Sequence, residues 1–304
     1  MNTFTFRSLR SIAIALCLTV VSSTAWAGGF GHSWLSKIFD DDFGPAANVT
    51  GINSDAADGC PIESPDGLSL VIASKRGTGG DNDLWAADRA SVDEPWGAPL
   101  ELPSPINSAA GDFCPTPVSD RSLFFVSSRD AACDGGNIYL SRQGIGGQWS
   151  EPELLPCAPQ GPNFDGAIFS PSLVESRRGT FLFYSADGKF GEQDIYVSRR
   201  GKDGQYGPGR RVAALSLVGE DDRMPNVRYM GKGLYEVVFS STREGGTQDV
   251  YRAVSWAPPF RWTKPVKLGP NVNTEDGSET RATLSRDGER LYFGRGGEIF
   301  MSER

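Results

Sequence analysis

Apolar side chains recur at every second position in short runs along most of this chain, as in Leu68 to Ser74, Phe181 to Ser185 and Leu291 to Phe293. The runs are rich in valine, isoleucine, phenylalanine and tyrosine and are broken by glycine, proline and aspartate, which predicts strands rather than helices. The same punctuation returns five times. Ser64-Pro-Asp-Gly leads through Arg76 to Asp83-Leu-Trp85, and Leu123 through Arg129 to Asn137-Ile-Tyr139. Phe181 through Ser185 precedes Asp194-Ile-Tyr196, Tyr235 through Arg243 precedes Asp249-Val-Tyr251, and Asp287 through Arg295 precedes Glu298-Ile-Phe300. Successive copies stand about 50 to 57 residues apart, the length of a propeller blade.

Each copy predicts four antiparallel strands. The innermost follows an acidic turn, as at Cys60-Pro61-Ile62; the second is Leu68 to Ser74 and the third Leu84 to Ala87. The fourth follows an aromatic residue and a proline, at Trp96, Trp149, Tyr206 and Trp262. Proline is tolerated there because an outer edge strand can spare a ladder donor. The fifth copy ends without such a strand, but Phe43 to Asn53 matches Trp96 to Asn107 and Trp262 to Asn273. The expected fold is all-β, a five-bladed β-propeller with its ring closed by this N-terminal strand.

The first 27 residues change the picture of where the protein works. Arg7 and Arg10 precede an apolar run from Ile12 to Val21, and Ala25-Trp26-Ala27 follows. That is the pattern of a secretory signal peptide, so residues 1–27 are expected to be removed, 28–42 to form a tail and 43–304 to form the propeller. The expected location is periplasmic or secreted, with no transmembrane segment. The chain has 30 basic and 38 acidic side chains, a net charge of −8, which argues against nucleic acid as a partner. Its only histidine, His32, precedes the repeats, which excludes Ser-His-Asp or Cys-His catalysis and histidine-ligated metals within them.

Ser-Pro-Asp-Gly followed by Ser-x-Arg and Asp-Ile-Tyr resembles the WD40-like repeat of the PD40, or TolB-like, type. The resemblance implies a propeller from about Phe43 onward. It does not imply one activity, because propellers carry binding, scaffolding and catalytic roles on one frame.

An acidic residue precedes each innermost strand: Asp58, Asp112, Asp165, Asp222 and Glu279. These carboxylates are expected to ring one mouth of the channel, where they either accept donors of their own turns or form a ligand site. No cofactor is expected, calcium at this ring being the one possibility weighed. Arg76, Arg129, Arg243 and Arg295 close the second strands and are expected to bridge across the hairpin to the acid or Asn that opens the third. A ligand is expected to meet both sets on this face. Four cysteines remain after the leader, pointing to disulfides in an oxidising compartment. Cys133 with Cys157 is the first pairing; Cys60 and Cys114 occupy equivalent positions in neighbouring blades, as a disulfide or as two buried thiols.

The leading functional expectation is a monomeric, non-enzymatic module of the cell envelope that binds a protein, peptide or glycan, with no catalytic residue assigned. The alternative is a carbohydrate-active hydrolase or lyase using the ring carboxylates.

Overall fold

A computed structural model describes residues 43–304 except 130–132, 134, 165, 188–191 and 257, so the signal sequence, the tail and Asp165 lie outside the described residues. The described residues contain strands but no α-helix, and the strands form five separate antiparallel sheets. β1, Ala47–Asn48, comes first and joins the last sheet. Blade one is β2 Asp58–Glu63, β3 Ser69–Ser74, β4 Asp83–Asp88 and β5 Leu100–Glu101. Blade two is β6 Asp112–Pro117, β7 Ser122–Ser127, β8 Asn137–Arg142 and β9 Glu153–Leu154. Blade three is β10 Ile168–Ser176, β11 Gly179–Asp187, β12 Gln193–Arg199 and β13 Arg210–Arg211. Blade four is β14 Asp222–Gly231, β15 Leu234–Ser241 and β16 Asp249–Trp256, whose outer edge carries β17 Arg261–Trp262 and β18 Val266–Lys267. Blade five is β19 Thr280–Leu284, β20 Arg290–Arg295 and β21 Glu298–Glu303, with β1 as its outer strand.

Closure is therefore made from both ends of the chain. Ala47 pairs with Met301 and Asn48 with Phe300. Asn53 then grips the same strand: its Oδ1 accepts from Ile299 N at 2.7 Å and its Nδ2 donates to Ile299 O at 3.0 Å. The equivalent residues Asn107, Asn163 and Asn273 hold Leu84, Ile138 and Val250 in the same way, and Ser216 takes the role in blade three on Ile195. A side chain with one acceptor and two donors satisfies a backbone pair at a place where no further strand continues the ladder.

Five clusters of buried apolar residues each gather side chains from neighbouring blades. One, containing Val49, Ile52, Leu70, Ile72, Tyr292 and Ile299, seals blade five against blade one. The second strands lie between blades and are buried on both faces, which is why Leu123 to Val126 and Val237 to Phe239 are continuous apolar runs rather than strict alternations.

Every innermost strand carries a bulge at the same register, between Gly59 and Ile62, Phe113 and Thr116, Phe169 and Ser172, Arg223 and Asn226, and Thr280 and Thr283. The bulged residues Cys60, Cys114, Ser170, Met224 and Arg281 all have positive φ, from 50° to 58°. Proline follows in four of the five, which suits a position that donates nothing to the ladder. The bulge re-aims one side chain per blade toward the axis, where these residues meet those of other blades.

Candidate functional site

The acidic turns and the strand-closing arginines come together, but not in the pairing expected from sequence. Each arginine reaches back to the acid that opens the innermost strand, not to the residue that opens the third. Arg76 Nη2 lies 2.6 Å from Asp58 Oδ1 and Arg129 Nη2 2.7 Å from Asp112 Oδ1; Arg243 pairs with Asp222, and Arg295 Nε lies 2.7 Å from Glu279 Oε1. The reason is register: β2 and β3 place Asp58 opposite Ser74, two residues before Arg76, and β6 and β7 place Asp112 opposite Ser127. The same guanidinium groups donate to backbone carbonyls of the preceding loop, at Ile52, Pro105, Ile106, Leu215 and Val272. All four acids are buried. The second oxygens of Asp58, Asp112 and Asp222 accept from their own turns, from Ser54, Ser108 and Leu217, whereas Thr274 donates to the same Glu279 Oε1 that Arg295 holds.

The charges of these acids are therefore compensated within the blade, while Glu279 Oε2 is buried with no hydrogen-bond partner among the described residues. Burial alone would raise the Asp58 pKa, but the bonds from Arg76, Ser74 and Ser54 outweigh it and hold the carboxyl below its usual value. For Asp222 burial wins over the Leu217, Ser241 and Arg243 bonds, and its pKa is raised. Among the described residues no three His, Cys, Asp or Glu side chains form a group suited to a metal ion.

The channel between these clamps is filled. Arg281, 1% exposed, crosses from blade five and its Nη2 donates to the carbonyls of Pro115 at 3.0 Å and Pro171 at 3.3 Å. Thr283 donates to Pro61 O at 2.8 Å, and Thr116 to Pro171 O. Cys60 and Cys114 bring their Sγ atoms to 2.9 Å, and Ser170 Oγ donates to Cys114 Sγ at 3.2 Å. The opposite mouth narrows to a cavity of about 190 Å³, in which Glu63 is ion-paired to Arg89 and Arg290. Cys133 and Cys157 form the expected disulfide.

A wide groove lies elsewhere, along the outer strands of blade three where the β16–β17 loop of blade four overhangs them. It encloses about 910 Å³. Phe260 forms its floor, stacked on Trp262 at 5.6 Å between centroids and set edge-on to Phe181 at 5.0 Å. Arg178, Arg199, Arg210 and Arg211 line it, and none of its lining residues is an Asp or Glu. Arg211 is ion-paired to Asp194 at 2.7 Å. Arg178, Arg199 and Arg210 are exposed and form no ion pair among the described residues. Sequence reasoning missed this set because its arginines sit outside the repeat. The available signal was a local surplus of five arginines between Arg199 and Arg223.

No family model matches the chain and no curated protein does. The repeat family suggested by the sequence thus has no match, although the propeller it implied is present. Solved structures share the fold. The α-L-arabinofuranosidase of Lactobacillus brevis is 10% identical, with a TM-score of 0.56 over 84% of this chain and 94% of that one. The catalytic domain of a GH62 α-L-arabinofuranosidase of Coprinopsis cinerea is 11% identical, TM-score 0.56, covering 86% and 96%. An α-L-arabinanase of Penicillium chrysogenum, complexed with arabinobiose, is 13% identical, TM-score 0.54, covering 86% and 98%. At these identities the likeness is one of architecture: all-β and five-bladed.

Proposed function

We propose that this protein is an exported glycan-binding propeller that takes an anionic oligosaccharide, one bearing uronate carboxylates, into the groove between blades three and four. The observation that carries this reading is the pairing of an aromatic floor, Phe260 and Phe181, with a rim of arginines and no acid in a protein of net charge −8. Aromatic faces suit the C–H faces of sugar rings, and a guanidinium fork suits a carboxylate in two-point geometry. A neutral glycan would leave the rim charges unused. The leader pattern supports an envelope or extracellular setting for such a ligand.

Titration calorimetry with a polyuronate oligosaccharide and a neutral arabinan oligosaccharide tests the proposal. Binding of the polyuronate alone is expected, weakening with salt, and an Arg199→Glu, Arg210→Glu variant is expected to lose at least about tenfold in affinity. Equal binding of both oligosaccharides, or none of either, overturns it.

Glycoside hydrolysis is the second reading, and the arabinanase and arabinofuranosidase neighbours favour it over recognition of a protein or peptide. It ranks second because each of the four described acids is ion-paired to an arginine, which ties up the carboxylate that would serve as acid or base. Release of reducing ends from the same oligosaccharides, abolished in Asp112→Asn or Glu279→Gln variants that keep their fold, would reverse the order of the two readings.

A further inference from the structure

We propose that Cys60 and Cys114 form a redox-active dithiol on the propeller axis, which thiol–disulfide exchange closes into a reversible bond between blades one and two, with Arg281 as its positioning residue. This does not depend on the glycan reading.

The geometry of four blades carries the proposal. The bulges at Cys60 and Cys114 turn equivalent residues of neighbouring strands toward each other until their sulfurs stand 2.9 Å apart, so bond formation needs a movement of under about 1 Å. Ser170 donates to Cys114 Sγ at 3.2 Å, a bond that favours a thiolate there. Arg281 enters from blade five, fully buried, with only its Nη2 hydrogen-bonded; Nε and Nη1 have no hydrogen-bond partner among the described residues. A buried guanidinium with unfilled donors and no carboxylate beside it calls for an anion, and a thiolate at Cys114 is the anion at hand.

The charged and titratable groups that bear on Cys114 are Cys60 and Arg281. Burial raises the Cys114 pKa, but the Cys60 contact, Arg281 and Ser170 together bring it down to about 6. The Cys60 thiol, in contact with Cys114 and buried, is pushed up. The same guanidinium disfavours a metal cation between the sulfurs.

The exchange partner is a disulfide, of a protein or of oxidised glutathione. Cys60 is the less buried of the two residues, intermediate in exposure against 1% for Cys114. Transfer of its proton to Cys114 leaves the Cys60 thiolate to attack one sulfur of the incoming disulfide, which releases the first small thiolate. Cys114 then gives up its proton to that thiolate, and its own thiolate attacks Cys60 Sγ, closing the Cys60–Cys114 bond and expelling the second. Two protein thiols are oxidised, one disulfide is reduced to two thiols, and reversal opens the bond. Because Arg281 stabilises the thiolate form, the closed bond should be more easily reduced than Cys133–Cys157.

The test equilibrates the full folded chain in glutathione buffers of graded ratio, quenches with an alkylating agent and reads each cysteine by peptide mass spectrometry. A Cys60–Cys114 bond is expected in oxidising buffer, opening at a milder ratio than Cys133–Cys157. Arg281→Met is expected to shift the opening toward stronger reductant by about tenfold, the effect of about one pKa unit on the thiolate, while Arg281→Lys shifts it less. In the reduced native protein the alkylation rate of this pair should inflect near pH 6. Failure of the bond to form in oxidising buffer overturns the proposal, as does opening together with Cys133–Cys157. An alkylation profile with the ordinary thiol inflection overturns the role of Arg281 even where the Met variant does not fold.

Discussion

Arg281 of blade five donates across the channel to the carbonyl oxygen of Pro115 in blade two, at 3.0 Å. Its Nη2 also reaches Pro171 O of blade three, so one side chain ties three of the five innermost strands. The carbonyls it serves belong to the prolines that follow the bulged residues Cys114 and Ser170, and Thr116 Oγ1 is the other donor to both. Arg281→Ala is expected to lower stability by about 1–3 kcal/mol, the cost of losing hydrogen bonds from a buried charged donor, and to reduce the melting temperature by several degrees. A melting curve that does not move would show that these carbonyls find water instead.

The four acid–arginine clamps make a sharper prediction, because each joins a buried carboxylate to a loop. Arg129 binds Asp112 and also the carbonyls of Pro105 and Ile106, so it fixes the segment entering the innermost strand. Asp112→Ala and Arg129→Met should each cost about 3–5 kcal/mol, since each leaves an uncompensated charge. The double variant should cost less than the sum of the two. Strict additivity in urea unfolding would mean that the pair contributes no coupling.

Acid stability should report the unlike settings of Asp58 and Asp222. Asp58 has a lowered pKa, so its contribution is present above the unfolded value of about 3.9 and is lost as pH falls through the folded value. Asp222 has a raised pKa, so its contribution is present below the unfolded value and is lost as pH rises through the folded one. Asp58→Asn is therefore expected to cost more stability than Asp222→Asn at pH 7, and the difference should shrink below about pH 4. Parallel stability curves for the two variants from pH 3 to 7 would contradict the assignment.

Much of the fold was legible because punctuation repeats. The pairs Ile52-Asn53, Ile106-Asn107 and Val272-Asn273 stand in the same relation to each outer strand, and Asn53 lay at the opposite end of the chain from the blade it completes. The arginine pairing was misread because strand order was clear while register was not: a bulge in the innermost strand sets what Arg76 faces, and bulges leave little trace in sequence. The recurring residue before proline in Cys60-Pro61, Cys114-Pro115, Ser170-Pro171 and Met224-Pro225 was that trace. The groove was hidden for another reason, since Arg178 and Arg199 belong to blade three and Phe260 to blade four, and no spacing rule relates them.

Cys133 and Cys157 are bridged with Cα atoms 5.8 Å apart and 24 residues between them in sequence. In the chain-entropy account a loop of that size contributes about 3 kcal/mol by restricting the unfolded chain. A Cys133→Ser, Cys157→Ser variant should accordingly unfold at lower denaturant than the oxidised native protein, with an m-value no smaller than the native one because the unfolded chain is no longer restrained. Reduction of the native protein to the same midpoint would identify this bond as the source of the difference.

Closure from the N-terminus can be tested by moving the start of the chain. A form beginning at Phe43 keeps β1 and the grip of Asn53 on Ile299, and should fold cooperatively. A form beginning at Ser54 loses β1 together with Phe43, Val49 and Ile52, all buried. At about 1.5–3 kcal/mol for each buried apolar side chain, that loss is comparable with the whole stability of an ordinary domain. It also bares the edge of β21, whose exposed N–H and C=O groups invite pairing with another chain. The shorter form is expected to show no cooperative melt and to elute as aggregate in size-exclusion chromatography, and addition of a synthetic peptide spanning residues 43–53 should restore part of the monomer. A cooperatively melting monomer without the peptide would mean that blade five is complete in three strands and that the ring does not need its N-terminal strand.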